Sequence, residues 1–143
     1  MNILFAGTPN SSSRILQHLI NVKSINIKGV ITQPDKRGKR GKDLLESEVS
    51  KVAKTAGLDI FKPDNLNNQD FVEKIKLLKI DYMIVVAYGR LIPRWLLELP
   101  KIMALNIHYS ILPKYRGASP IQSSLINGDT ITGVTFMKMT EAL

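Results

Sequence analysis

The chain has 143 residues, enough for one domain to bury a core without disulfide or metal staples. Hydrophobic residues make up 44% and charged residues 22%, which excludes a disordered chain, and the absence of cysteine excludes disulfides and thiolate chemistry. The net charge of +8 reflects either anionic partners such as nucleic acid or a polyglutamate tail, or a lysine-rich genome bias without functional meaning.

Residues 1–7 carry neither a basic leader nor a cleavage site, so no signal peptide is expected. No apolar run approaches the roughly 20 residues of a spanning helix. The expectation is a cytoplasmic protein with no membrane segment.

In chain order, the short apolar run Ile3–Ala6 predicts a buried strand ending in the turn Gly7-Thr8-Pro9. Ser11–Ser13 offer an N-cap for a helix with Ile15, Leu16, Leu19 and Ile20 on one side. Ile27–Thr32 predicts a second strand, which stops at Gln33-Pro34-Asp35. The next seven residues hold five cations, Lys36, Arg37, Lys39, Arg40 and Lys42, separated by two glycines. With no aromatic among them, this segment is either a phosphate-contacting loop or a solvated surface loop.

Leu44–Ala56 reads as a helix with Gly57 as its C-cap, Asp59–Phe61 as a short strand, and Asp70–Lys79 as an amphipathic helix. Tyr82–Ala87 is apolar without alternation, the pattern of a strand covered on both faces. A short helix follows Pro93, then a strand over Ile102–Ile107 and a helix over Ala118–Ile126. A last strand is expected around Val134–Met139, after a turn at Gly128-Asp129. Strands alternating with helices predict a doubly wound, mostly parallel α/β sheet. Neither an internal repeat nor an interdomain linker interrupts the chain.

Asn106 and His108 project from one face of their strand, because side chains alternate with period two. An amide donor beside a titratable imidazole suits a developing oxyanion and a proton in transit, the other reading of His108 being a packed, hydrogen-bonded core histidine. Ala87-Tyr88-Gly89 ends the neighbouring apolar run, and in open α/β sheets ligands bind beyond such carboxyl ends. Gly89 there either admits a flat ligand or simply ends the strand. The turn at Gly7-Thr8-Pro9 either holds an anion at a helix N-terminus or is a plain connection. It is not a dinucleotide fingerprint. His18 sits in the first amphipathic helix and reads as structural or exposed. After His108 comes a loop in which Pro113 and Pro120 fix φ, Gly117 gives freedom, and Lys114 and Arg116 offer cations.

The pattern Asn106-x-His108-x-Ser110-x-Leu112-Pro113-x-x-Arg116-Gly117, preceded by Val85-Val86-Ala87-Tyr88-Gly89, resembles the formyltransferases that use 10-formyltetrahydrofolate. Within them, the chain is most similar to the amino-terminal catalytic domain of the methionyl-tRNA formyltransferase family. Phe5–Pro9, Thr32–Asp35, Arg40–Lys42, Ser119–Gln122 and Gly133–Thr135 carry that narrower likeness, which extends over the whole chain. The resemblance implies that Asn106 and His108 polarise the N10-formyl carbonyl and stabilise the tetrahedral intermediate. The attacking group would be the α-amine of initiator methionyl-tRNA.

Ala87, Tyr88, Gly89 and Arg90, with Ser110, Leu112 and Pro113, would line the pocket of the folate cosubstrate. Lys36, Arg37, Lys39, Arg40 and Lys42 would reach the acceptor stem, and no metal is implied. In the family pattern, an aspartate that pairs with the histidine follows the position of Leu143, and a carboxyl-terminal tRNA-binding domain follows that. Residues 1–143 are therefore expected to be an incomplete catalytic domain, weakly active or inactive alone. Asp129 matches a turn position and Glu141 precedes the position of that aspartate, so neither is an obvious replacement for it. Tyr109 occupies a position that is usually small or proline in the family, and its phenol is expected either to crowd the pocket or to point away. The other readings are a sister formyltransferase acting on a sugar nucleotide or purine precursor, and a non-catalytic remnant that binds folate or tRNA.

Overall fold

The computed structural model describes residues 1–37 and 44–141. Its elements are β1 (Asn2–Gly7), α1 (Asn10–Ile20), β2 (Asn26–Ile31), β3 (Lys36–Arg37), β4 (Leu44–Leu45), α2 (Glu48–Thr55), β5 (Ile60–Phe61), α3 (Gln69–Lys76), β6 (Tyr82–Val86), α4 (Arg94–Leu97), β7 (Met103–His108), α5 (Pro120–Ile126) and β8 (Thr135–Lys138). One sheet runs in the order β5-β2-β1-β6-β7-β8. All its pairings are parallel except the last, where β8 lies antiparallel to β7. The chain builds outward from β1 to β5, then returns to β6 on the other side of β1. That reversal is the switch point of a doubly wound sheet, and antiparallel edge strands are common additions to such sheets. The expected α/β fold is present.

Alternation along the central strands divides the core into two layers. Leu4, Ala6, Met83, Val85 and Ala104 face Phe71 and Ile75 of α3 and Leu96 of α4. Phe5, Val30 and Val86 face Leu16 of α1 and Val49 and Ala53 of α2. Leu4, Phe5 and Ala6 are all fully buried, which explains why β1 shows no polar alternation.

Three helices begin where sequence reasoning did not place them, α5 at Pro120 instead of Ala118 and α1 and α2 as follows. α1 starts a turn early, with Pro9 extended before it and no side-chain cap. Proline lacks the N–H that a cap would leave unpaired, so it suits the entry to a helix. Ser11–Ser13 therefore fall inside the first turn. Ser12 is buried and donates to the Val86 carbonyl at 2.6 Å, tying α1 to β6. Gly7 permits this approach, since a Cβ there would lie 2.8 Å from the Ser12 Cβ and 2.9 Å from the Val86 oxygen.

α2 starts late, at Glu48, because the Ser47 hydroxyl accepts from the Ser50 N–H at 3.0 Å. Leu44 and Leu45 instead form β4, exposed and antiparallel to β3. A pair of leucines mimics a helix face when nothing local reports strand pairing.

Candidate active site

β7 runs one residue further than its apolar pattern predicted and ends at His108. Ala104 belongs to the core layer under α4, so alternation puts Asn106 and His108 on that same face. Both are half-buried. Across the strand gap, Asn106 stands opposite Met137 and His108 opposite Thr135 of β8. Among the described residues the Asn106 amide has no hydrogen-bond partner, so its two N–H donors are available to a bound group.

The loop after β7 is bolted to the sheet. Thr135 donates its hydroxyl to the Ser110 carbonyl at 2.7 Å and accepts from the Leu112 N–H at 3.1 Å. Ser110 is fully buried, with its hydroxyl 3.0 Å from His108 Nδ1 and 2.7 Å from the Lys114 carbonyl. The Leu112–Pro113 peptide is cis. No carboxylate among the described residues pairs with His108. Asp129 accepts from the Tyr115 hydroxyl at 2.7 Å and lies 3.6 Å from Lys114, while Glu141 lies 3.5 Å from Arg94.

The neighbouring strand ends are laced together at one carbonyl. Tyr88 O accepts from the Thr8 hydroxyl at 3.0 Å and from the Gln33 amide at 2.8 Å, joining the exits of β1, β2 and β6. The Gly7–Pro9 turn is thus tied to the end of β6 through Thr8. Gly89 follows with φ +80, and a Cβ there would lie 2.5 Å from Gln33 Nε2. What approaches this glycine is the protein's own glutamine. Gly89→Ala is expected to lose about 1–2 kcal/mol to backbone strain and about 1 kcal/mol more through the displaced amide. Urea denaturation checks this, and an unchanged midpoint would mean that the loop relaxes without cost.

Predicted pocket residues divide by side chain. Ala87 and Gly89 are exposed at this edge, whereas the Tyr88 ring is buried in the core under the loop. Burial pushes the Tyr88 phenol above the ordinary tyrosine range, and the nearby Arg90 charge opposes this more weakly. The Arg90 guanidinium donates to the carbonyls of Pro63 and Asp64 at 3.0 and 2.9 Å. Leu112 is half-buried and Pro113 exposed.

Tyr109 packs with Ile107 against the α1–α2 core layer, on the face opposite His108. The phenol does not crowd the candidate site. Its oxygen is buried and has no partner among the described residues. Removing it in Tyr109→Phe is expected to raise stability by about 1 kcal/mol. A lowered melting temperature would show that the hydroxyl is used.

Lys36 and Arg37 are exposed on β3, and Lys39, Arg40 and Lys42 lie outside the described residues. The neck of this hairpin is clamped by Lys62, which sequence reasoning missed. Its ammonium is 2.7 Å from Asp35 on one side of the neck and 3.5 Å from Glu46 on the other. Gln33 and Thr135 were missed as well. Their roles depend on strand order and on the antiparallel register, which no local pattern shows.

Among the described residues no group of three or more His, Asp or Glu side chains could hold a metal ion, and no helix is long and apolar enough to cross a membrane.

A methionyl-tRNA formyltransferase from Thermodesulfovibrio yellowstonii is 47% identical over 141 residues, covering 99% of this chain and 46% of that protein. One from Pseudoalteromonas translucida is 46% identical, covering 100% of this chain and 44% of that protein. The chain thus spans about half the length of these curated relatives. Among solved structures, a phosphoribosylglycinamide formyltransferase from Anaplasma phagocytophilum superposes with a TM-score of 0.77 at 18% identity, covering 100% of this chain and 66% of that one. That likeness establishes the fold. The formyl transferase family model matches residues 1–143 throughout, and the chain belongs to the formyl transferase family.

Proposed function

We propose that this chain supplies the formyl-transfer site of a methionyl-tRNA formyltransferase. The observation that carries the proposal is the pairing of Asn106, with uncommitted amide donors, and His108 on one face at the carboxyl end of β7. Relatives with that name match 99–100% of the chain at 43–47% identity, which supports methionyl-tRNA as the acceptor over the purine-precursor and sugar-nucleotide alternatives.

The substrate 10-formyltetrahydrofolate presents a formamide-like carbonyl, a poor electrophile. The methionyl α-amine attacks its carbon, forming a C–N bond and placing negative charge on oxygen. Asn106 donates to that oxyanion, and such a donor is worth about 2.7–4 kcal/mol at the transition state. His108 takes the proton released by the attacking nitrogen and returns it to N10 as the old C–N bond breaks. The products are formylmethionyl-tRNA and tetrahydrofolate, so atoms and charge balance. The folate lies across the exposed Ala87–Arg90 edge and the Leu112–Pro113 loop. Lys36 and Arg37, on the hairpin braced by Lys62, meet acceptor-stem phosphate.

The test offers three amine acceptors: methionyl-tRNA, a glycinamide ribonucleotide and an amino-sugar nucleotide. Each is mixed with labelled 10-formyltetrahydrofolate and the chain joined to the remaining half of the Thermodesulfovibrio relative. Label is expected on methionyl-tRNA. Preferential transfer to either small nucleotide would contradict the proposal.

A further inference from the structure

We propose that Ser110 is a positioning residue that locks His108 in its Nδ1–H tautomer and leaves Nε2 as the lone-pair nitrogen facing the reaction. The catalytic half of this inference rests on the role given to His108 above; the tautomer itself does not. A serine hydroxyl has one hydrogen. That of Ser110 lies 2.7 Å from the Lys114 carbonyl, an oxygen that can only accept, so the hydrogen is used there. His108 Nδ1, 3.0 Å away, must then be the donor to Ser110 Oγ. A neutral imidazole that donates from Nδ1 has its lone pair on Nε2.

The relay is rigid at each joint. Ser110 is fully buried, and its carbonyl is held by Thr135 at 2.7 Å. Thr135 also receives the Leu112 N–H, and it is the residue directly across from His108 in the ladder. The Lys114 N–H closes a turn onto the Ile111 carbonyl at 3.1 Å, which steadies the peptide segment that accepts from Ser110. The sequence reading placed Ser110 among the folate contacts. Its hydroxyl is fully buried and its one hydrogen is already committed, which favours a positioning role. Protonation of Nε2 leaves the Nδ1 bond intact, and the ring can pick up and release a proton without turning.

The experiment is a long-range 1H–15N correlation spectrum of the histidine rings in the 15N-labelled chain, at a pH where both are neutral. The chain has two histidines, and His18 is exposed on α1, so it reports the solution preference for Nε2–H as an internal control. His108 is expected to show the opposite pattern, protonated Nδ1 and bare Nε2. Ser110→Ala is expected to shift His108 to the His18 pattern, and Ser110→Thr, which keeps a hydroxyl, to restore it. In the joined enzyme, which also supplies the aspartate that the family pattern pairs with the histidine, Ser110→Ala should lower kcat by about tenfold or more with KM held, because the other tautomer turns N–H instead of a lone pair toward the amine.

An Nε2–H signal for His108 in the parent chain would overturn the proposal, even if Ser110→Ala failed to fold. So would an unchanged tautomer in a folded Ser110→Ala chain. Loss of transfer in a His108 variant alongside the wrong tautomer would sink this inference and leave the formyl-transfer reading standing. The expected tautomer without any transfer would do the reverse.

Discussion

Replacing His108 by alanine is expected to lower formyl transfer by about 10²–10⁴-fold, the range for a positioned acid–base group. The side chain is only half-buried and makes a single hydrogen bond, so the fold should survive its removal. The loss should fall on kcat if, as proposed, the imidazole acts on protons that move in the transition state rather than on the bound ground state. Steady-state kinetics of the joined enzyme check this. Turnover within about threefold of the parent would remove His108 from the mechanism.

Asn106→Ala is expected to cost about 10²–10³-fold in kcat, equivalent to about 2.7–4 kcal/mol of oxyanion stabilisation. The geometry explains why the loss is nearly all catalytic. The amide has no partner within the described protein, so truncation breaks no structural bond. Melting temperature should therefore hold while activity falls. A stability loss with matching activity loss would mean that Asn106 is structural. The loss should stay below that of His108→Ala, since in the proposed mechanism the histidine both takes the proton from the attacking amine and returns it to N10. In the double variant the two losses should not add, because both residues serve one intermediate.

The placement of the candidate residues in the fold was legible because it depends on short-range patterns. Period two put Asn106 and His108 on one face, and the unbroken apolar run of β6 announced a strand buried between helix layers. Those two facts are enough to predict a parallel sheet with polar groups at its carboxyl edge. What sequence did not show was how that edge is held. The Thr135 hydroxyl reaches the loop after His108 only because β8 folds back antiparallel in one register. Gln33 meets Tyr88 only because β2, β1 and β6 are neighbours in space, in an order that the chain does not follow.

The misplaced helix starts teach a related lesson. Ser11–Ser13 have good capping chemistry, but Pro9 had already set the entry geometry, and Ser12 found a better partner in Val86. Tyr109 drew suspicion because it adjoins His108 in sequence. Adjacent residues on a strand face opposite sides, so its phenol belongs to the other core layer.

In the proposed mechanism folate is held at the carboxyl ends of β6 and β7, with its formyl group at Asn106 and His108. The most direct test is an NMR titration of the 15N-labelled chain with 10-formyltetrahydrofolate. The Asn106 side-chain amide, the His108 ring and the backbone of Ala87–Arg90 are expected to shift together along one binding curve. Shifts confined to the α1–α2 face or the Gly7–Pro9 turn, with Asn106 and His108 unmoved, would contradict it.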